Sequence, residues 1–170
     1  HDTSTEVRPR SRTQAERAAL SDRLMTEAAI HLLVTQGVSG TTLKAIGEES
    51  GYSRGLATHR FGSKAGLFRH VLRHVSAEWV TRVDQAVGQQ IGIDALTAVV
   101  DVQYHFIKDA PEKLRAMHIL WMASGDPASE FKTNVADVHR AQRSDVQRWV
   151  ELGQKDGIVR PEICAARVSE

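Results

Sequence analysis

The chain has 170 residues, a hydrophobic fraction of 41% and a formal net charge of +1, enough apolar material to bury the core of one unit or of a small domain joined to a larger one. No apolar run is long enough to span a bilayer, and the single cysteine, Cys164, excludes an internal disulfide framework, fits a reducing cytoplasm and reads as a small apolar side chain. The charge is unevenly spread: residues 1–77 hold 11 Lys and Arg against 7 Asp and Glu, whereas residues 78–170 hold 11 against 14, so only the first part would attract phosphate.

Residues 1–14 are polar, with Arg8, Arg10 and Arg12 around Pro9. That composition suits a flexible basic arm on a DNA backbone or minor groove, or a tail without a role. From Ala15 to Gln36 apolar residues recur at helical spacing, with Leu20, Leu24, Ala28 and Leu32 in one row and Met25, Ala29 and Leu33 beside it; Gly37 then ends the helix. Thr42 stands as the N-cap of a short helix that Gly51 stops after Ser50. Ser53 caps a second short helix, Arg54 to Arg60, closed by Gly62. Ser63 caps a long one in which Leu67, Val71, Val75, Trp79, Val83 and Val87 recur every four residues. Asp94 is placed to cap a helix to Asp109 whose buried row is Leu96, Val99, Val100 and Ile107. Pro111 fits the first turn of a helix carrying Leu114, Met117 and Trp121 and ending at Gly125. Asp126-Pro127 repeats the signal for a helix to Asp156 carrying Phe131, Val135, Val138, Val146, Trp149 and Leu152, and Pro161-Glu162 open one more. Strand-like alternation is confined to Ile158-Val159, so the expected class is all-α.

Two short helices joined by a glycine-containing turn make a helix-turn-helix. Gly47 supplies the small residue where the helices cross, and Gly51 accepts the positive φ of the turn. Ile46, Tyr52, Ala57 and Phe61 are spaced to bury inward, leaving Ser53, Arg54, Gly55, Leu56, Thr58 and Arg60 outward on the helix that would enter a major groove. Ser50 to Ala77 contain Arg54, Arg60, Lys64, Arg69 and Arg73, three histidines and no acid.

Residues 20–75 resemble the DNA-binding domain of the TetR (tetracycline-repressor) family of bacterial transcription regulators. The resemblance rests on Thr41-Thr42-Leu43, on Ile46-Gly47-Glu48-Glu49-Ser50-Gly51 through the turn, on Ser53-Arg54-Gly55-Leu56 and on Phe61-Gly62-Ser63-Lys64 before an apolar helix. It implies a flexible arm over 1–14, a helix-turn-helix domain over 15–62, a connecting fourth helix over 63–87 and an all-helical effector-binding and dimerisation domain over 88–170, whose last helix would be incomplete at Glu170. By position it implies phosphate contacts from Thr42, Lys44, Thr58 and Arg60, base contacts from Arg54, Gly55 and Leu56, a place for Ser53 on the DNA-facing side, and a phosphate clamp at Lys64 with the Ser63-capped helix start. Thr58 and Arg60 depart from the family's usual tyrosine and its usual histidine or tyrosine, and Ala65-Gly66 replace a frequent acidic residue.

The function implied is a cytoplasmic transcriptional regulator, a repressor that a small, mostly apolar effector releases from double-stranded operator DNA, working as a homodimer away from membranes. Tyr104, Phe106, Met117, His118, Trp121 and Met122 gather on two neighbouring helices and either line such an effector pocket or form ordinary core. Phe131, Val135, Val138, Trp149 and Leu152 are candidates for the dimer surface. His70 and His74 have chelating spacing but no third ligand, and no catalytic constellation or cofactor motif is present, so neither an enzyme nor a metal site is expected. The alternative is a helical small-molecule binding or scaffold protein whose helix-turn-helix does not bind DNA.

Overall fold

The computed structural model describes residues 13–169, which form α1 (Gln14–Gly40), α2 (Leu43–Ser50), α3 (Arg54–Phe61), α4 (Lys64–Val87), α5 (Gly92–Asp109), α6 (Pro111–Ala123), α7 (Lys132–Lys155) and α8 (Ala165–Val168). No strand occurs among the described residues, so the all-α class holds. The basic arm with Arg8, Arg10 and Arg12 lies outside them.

Local chemistry sets most helix starts. Thr13 and Glu16 form a reciprocal capping box on α1, with Glu16 N–H donating to Thr13 Oγ1 at 3.2 Å and Thr13 N–H to Glu16 Oε2 at 2.7 Å. Thr42, Ser53 and Ser63 each accept a backbone N–H from the residue three further on. Gly37, at φ 68° and ψ −173°, breaks α1 where expected, but one further turn runs to Gly40 and is held by buried Thr41, whose hydroxyl donates to Gly37 O at 2.8 Å.

The expectations for the later helices need correction. Ile91, not Asp94, occupies the N-cap of α5, and Asp94 sits within the first turn. The buried row of α5 is Ala95, Val102 and Phe106; Leu96 and Val99 are half-buried, and Val100 and Ile107 are exposed. The helix carries more apolar residues than one face can hold, and periodicity alone cannot choose which face meets the body. Asp126-Pro127 form a turn, with Ala128 N–H donating to Asp126 Oδ1 at 2.9 Å, and α7 starts only at Lys132. Pro161-Glu162 likewise lie in a turn before α8, which starts at Ala165 after an exposed Cys164.

Buried residues of α1, α2, α3, α4 and α6, with Phe106 of α5, Phe131 and Val135, form one continuous cluster. A second cluster, Val83, Val87, Ala95, Val102 and Trp149, joins the ends of α4 and α7 to α5. Removing such side chains from water is the main stabilising contribution, about 1.5–3 kcal/mol for each large one. Glu78 ties α4 to α6 through Lys113, and Arg82 donates to its other carboxylate oxygen at 2.8 Å. Burial alone would raise the Glu78 pKa, but the hydrogen bonds from Lys113 and Arg82 outweigh it and hold the pKa below the ordinary glutamate value. A depressed folded-state pKa means the contribution is present above the unfolded value and lost as pH falls through the folded one. Urea midpoints measured on the acid limb should therefore fall less steeply with pH in Glu78→Gln than in the parent; parallel limbs would show that the group contributes nothing.

Candidate DNA interface and apolar cavity

α2 and α3 cross at Gly47, where an added Cβ would lie 2.9 Å from Arg54 N and 3.0 Å from Tyr52 O. The turn passes through Gly51 in the left-handed region (φ 77°, ψ 18°), and Tyr52 N–H returns to Gly47 O at 2.9 Å. Ile46, Ala57 and Phe61 are buried and Tyr52 is half-buried, which orients α3 against α2 and α4. Outward from that anchor lie Ser53, Arg54, Gly55, Leu56, Thr58, His59 and Arg60.

The structure distinguishes among these groups. Arg54 makes no ion pair among the described residues and stands on the first turn of α3. Ser53 Oγ is taken up as the cap of α3, Lys44 lies 3.7 Å from Glu48 on its own helix, and Thr42 and Thr58 are exposed. Lys64 Nζ donates to Ser39 O at 3.2 Å and stands 5.7 Å from the centre of the Phe68 ring, which places its ammonium beside the Ser63-capped start of α4. Arg60 is turned aside: its guanidinium makes a two-pronged pair with Asp22 of α1, Nη2 to Oδ2 at 2.6 Å, and that hydrogen bond raises its pKa further. Arg60 keeps its outward, exposed place, but its guanidinium is paired where, among the described residues, that of Arg54 is not.

His59 was missed. It lies two residues from both Ala57 and Phe61, and two residues on a helix turn through about 200°, so it points away from the buried row and is exposed. The same spacing that identified the buried row carried that information. His70 is oriented inward: Thr26 Oγ1 donates to Asp22 O at 2.7 Å, so its one hydrogen is used, and His70 Nε2, 2.8 Å away, must carry the proton and donate. Burial first, then the neighbouring Arg60 charge, lowers the His70 pKa, which favours this neutral ring. His70 thus joins α4 to α1 and packs edge-on against Phe61 of α3 at 5.1 Å.

A cavity of about 650 Å³ lies among α4, α5, α6 and α7. Of the residues expected there, Phe106, Met117 and Trp121 reach its wall. Tyr104, His118 and Met122 do not line it and are exposed, Tyr104 at 62% and Met122 at 82%. Neighbours at one or two positions diverge by 100° or 200° around a helix, so a sequence cluster cannot share one wall. Much of the wall comes from helices not anticipated: Ser76, Trp79, Val80 and Val83 of α4, and Val138, Gln142, Val146 and Trp149 of α7. The expected dimer surface is also corrected, because Phe131, Val135 and Trp149 are buried within the chain's own core, Val138 lines the cavity, and only Leu152 is exposed.

Residues 25–71 match the family described as "Bacterial regulatory proteins, tetR family". Over 51 residues the chain is 33% identical to the HTH-type transcriptional regulator BetI of Paraburkholderia phytofirmans, a match covering 30% of this chain and 26% of that protein. The matched stretch therefore spans about a quarter of that relative's length. Among solved structures, the fatty acid degradation regulator FadR from Bacillus halodurans superposes with a TM-score of 0.76 at 10% identity, covering 94% of this chain and 79% of that one. The ketosteroid transcriptional regulator KstR2 of Mycobacterium tuberculosis superposes with a TM-score of 0.66 at 18% identity, covering 95% and 80%. The fold is thus that of these helical regulators across nearly the whole chain.

Proposed function

We propose, on the premise that residues 25–71 are a segment of the tetR family, that the chain is a sequence-specific DNA-binding transcriptional regulator, a repressor that a small, mostly apolar molecule releases from its operator. One observation carries the reading: the helix that walls the apolar cavity also seats the recognition helix. Residues 73–84 of α4 line the cavity, while its first turns hold α3 through Phe61, His70 and the Ser63 cap. A molecule that fits the cavity only when α4 shifts would tilt α3, and a coupling of about 1–3 kcal/mol suffices to change occupancy of DNA several-fold or more.

In this reading α3 lies in a major groove with Arg54, Gly55, Leu56 and His59 at base edges. Thr42, Lys44, Ser53, Thr58 and Lys64 lie along the phosphates, and Arg60 reaches phosphate only by leaving Asp22. One short helix reads few base pairs, so a homodimer on two half-sites is expected.

Arg54→Ala should weaken binding to the cognate operator by about 1–3 kcal/mol and relax specificity at one base pair, because a guanidinium matches guanine O6 and N7. Gel shifts on operator and on random duplex check it; equal loss on both would reduce Arg54 to a backbone contact. The whole reading is tested by a salt-dependent gel shift on a fragment upstream of the chain's own gene. Binding that weakens steeply with salt supports it. No binding at low salt would favour a helical binding or scaffold protein.

A further inference from the structure

The cavity's wall indicates the chemistry of its occupant, an inference that rests on reading it as the effector site. All three tryptophans of the chain, Trp79, Trp121 and Trp149, line it. α4 and α7 run side by side in the same direction. Phe131 before the start of α7 packs edge-on against Phe68 near the start of α4, ring centres 5.5 Å apart, and Trp149 near the end of α7 joins Val83 and Val87 at the end of α4. The lining residues from Arg73 to Asp84 and from Asp137 to Trp149 therefore bound one elongated cleft, roughly 16–18 Å long at 1.5 Å per residue.

Charge is distributed unequally along that cleft. At the end nearer α3, Arg73 and Asp137 both line the wall, and Asp137 is paired with Arg140, which lies outside it. At the far end Asp84 and Asp145 line the wall beside Trp149 with no basic lining residue. Asp145 is paired with Arg148, which lies outside the wall, and Asp84 has no ion pair among the described residues. An anionic head placed there would meet two carboxylates, and a neutral one would gain nothing from them. A cationic head gains from both carboxylates and from the negative face of an indole. We propose that the effector is an elongated hydrophobic organic cation, its alkyl or aryl body along the apolar middle and its ammonium head between Asp84, Asp145 and Trp149.

The test uses the full chain without DNA, with its tryptophan fluorescence as the readout, since all three reporters line the cleft. Decyltrimethylammonium, decanoate and 1-decanol share one chain and differ in head charge. Below micelle-forming concentrations the cation should bind about tenfold or more tightly than decanoate, and Asp84→Asn with Asp145→Asn should remove about that factor for the cation while leaving decanol unchanged. Circular dichroism on the double variant verifies that helicity is retained, and each single variant, expected to lose part of the factor, serves if the double variant does not fold. Decanoate binding as tightly as the cation, or cation affinity indifferent to the substitutions, would overturn the proposal. Adding each probe to the gel shift separates the two readings. A cation that binds without altering the DNA complex leaves the ligand class standing and removes the release mechanism, whereas release by decanoate alone does the reverse.

Discussion

Replacing Gly66 by alanine is expected to destabilise the chain by about 2–3 kcal/mol and to weaken DNA binding beyond what lost stability explains. A Cβ at Gly66 would overlap the Phe61 carbonyl oxygen. That atom belongs to backbone, so no side-chain rotation relieves the clash. The same carbonyl accepts Ser63 N–H at 2.8 Å, and Gly66 N–H donates to Ser63 Oγ at 3.0 Å, so the junction between α3 and α4 is closed by bonds on both sides. Relief requires α3 to shift on α4, which displaces the outward groups of α3 together. From sequence, Gly66 stands only as a weakened first turn where an acidic residue is frequent; the structure gives it a steric role. Gly55→Ala is the control, because its added Cβ would find its nearest neighbour, Ser53 Oγ, at an ordinary 3.7 Å. Urea unfolding should show a lower midpoint for Gly66→Ala with an unchanged slope and no comparable loss for Gly55→Ala. A Gly66 variant as stable as the parent would mean that the junction yields freely.

Phe106→Ala should cost about 3 kcal/mol, the lower end of the range for a deleted core phenylalanine. Phe106 is 1% exposed, meets Trp79 edge-to-face with ring centres 5.7 Å apart, and has the Arg82 guanidinium 5.1 Å from its ring centre. Both contacts are lost with the ring. Part of the ring already borders the cavity, so the deletion enlarges an existing void, and the loss stays below that for a ring packed on every side. Tyr104, two residues away, is 62% exposed, and Tyr104→Ala should stay within about 0.5 kcal/mol. Comparing the two unfolding midpoints tests the face that α5 turns to the body. Equal losses would place both rings in the core.

Legibility from sequence followed the distance over which each feature is decided. The helix-turn-helix was readable position by position, because its caps at Thr42, Ser53 and Ser63, its turn at Gly51 and its buried row of Ile46, Ala57 and Phe61 depend on residues within a few positions of one another. The outward place of His59 is readable from the same spacing. The pairing of Arg60 with Asp22 was not readable, since 38 residues separate partners that only the docking of α3 beside α1 brings together. Local signals at Asp94 and Asp126-Pro127 were real but were used differently: Asp94 lies inside a first turn and Asp126 closes a turn of its own.

By itself the sequence determined the all-α class, the order of the helices and the polarity of the chain, with a basic, acid-free stretch over residues 50–77 on the α3–α4 segment. Tertiary structure alone decided which apolar residues become core and which line a cavity. Phe131 and Val135 carry the same hydrophobic signature as Val138 and Val146, yet the first two are buried in core and the last two are only partly buried beside a cleft. Burial rewards any apolar side chain in proportion to the area it removes from water. That reward does not specify which neighbour covers it, and only the mutual packing of α4 and α7, set by contacts far apart in the chain, opens the cleft between them.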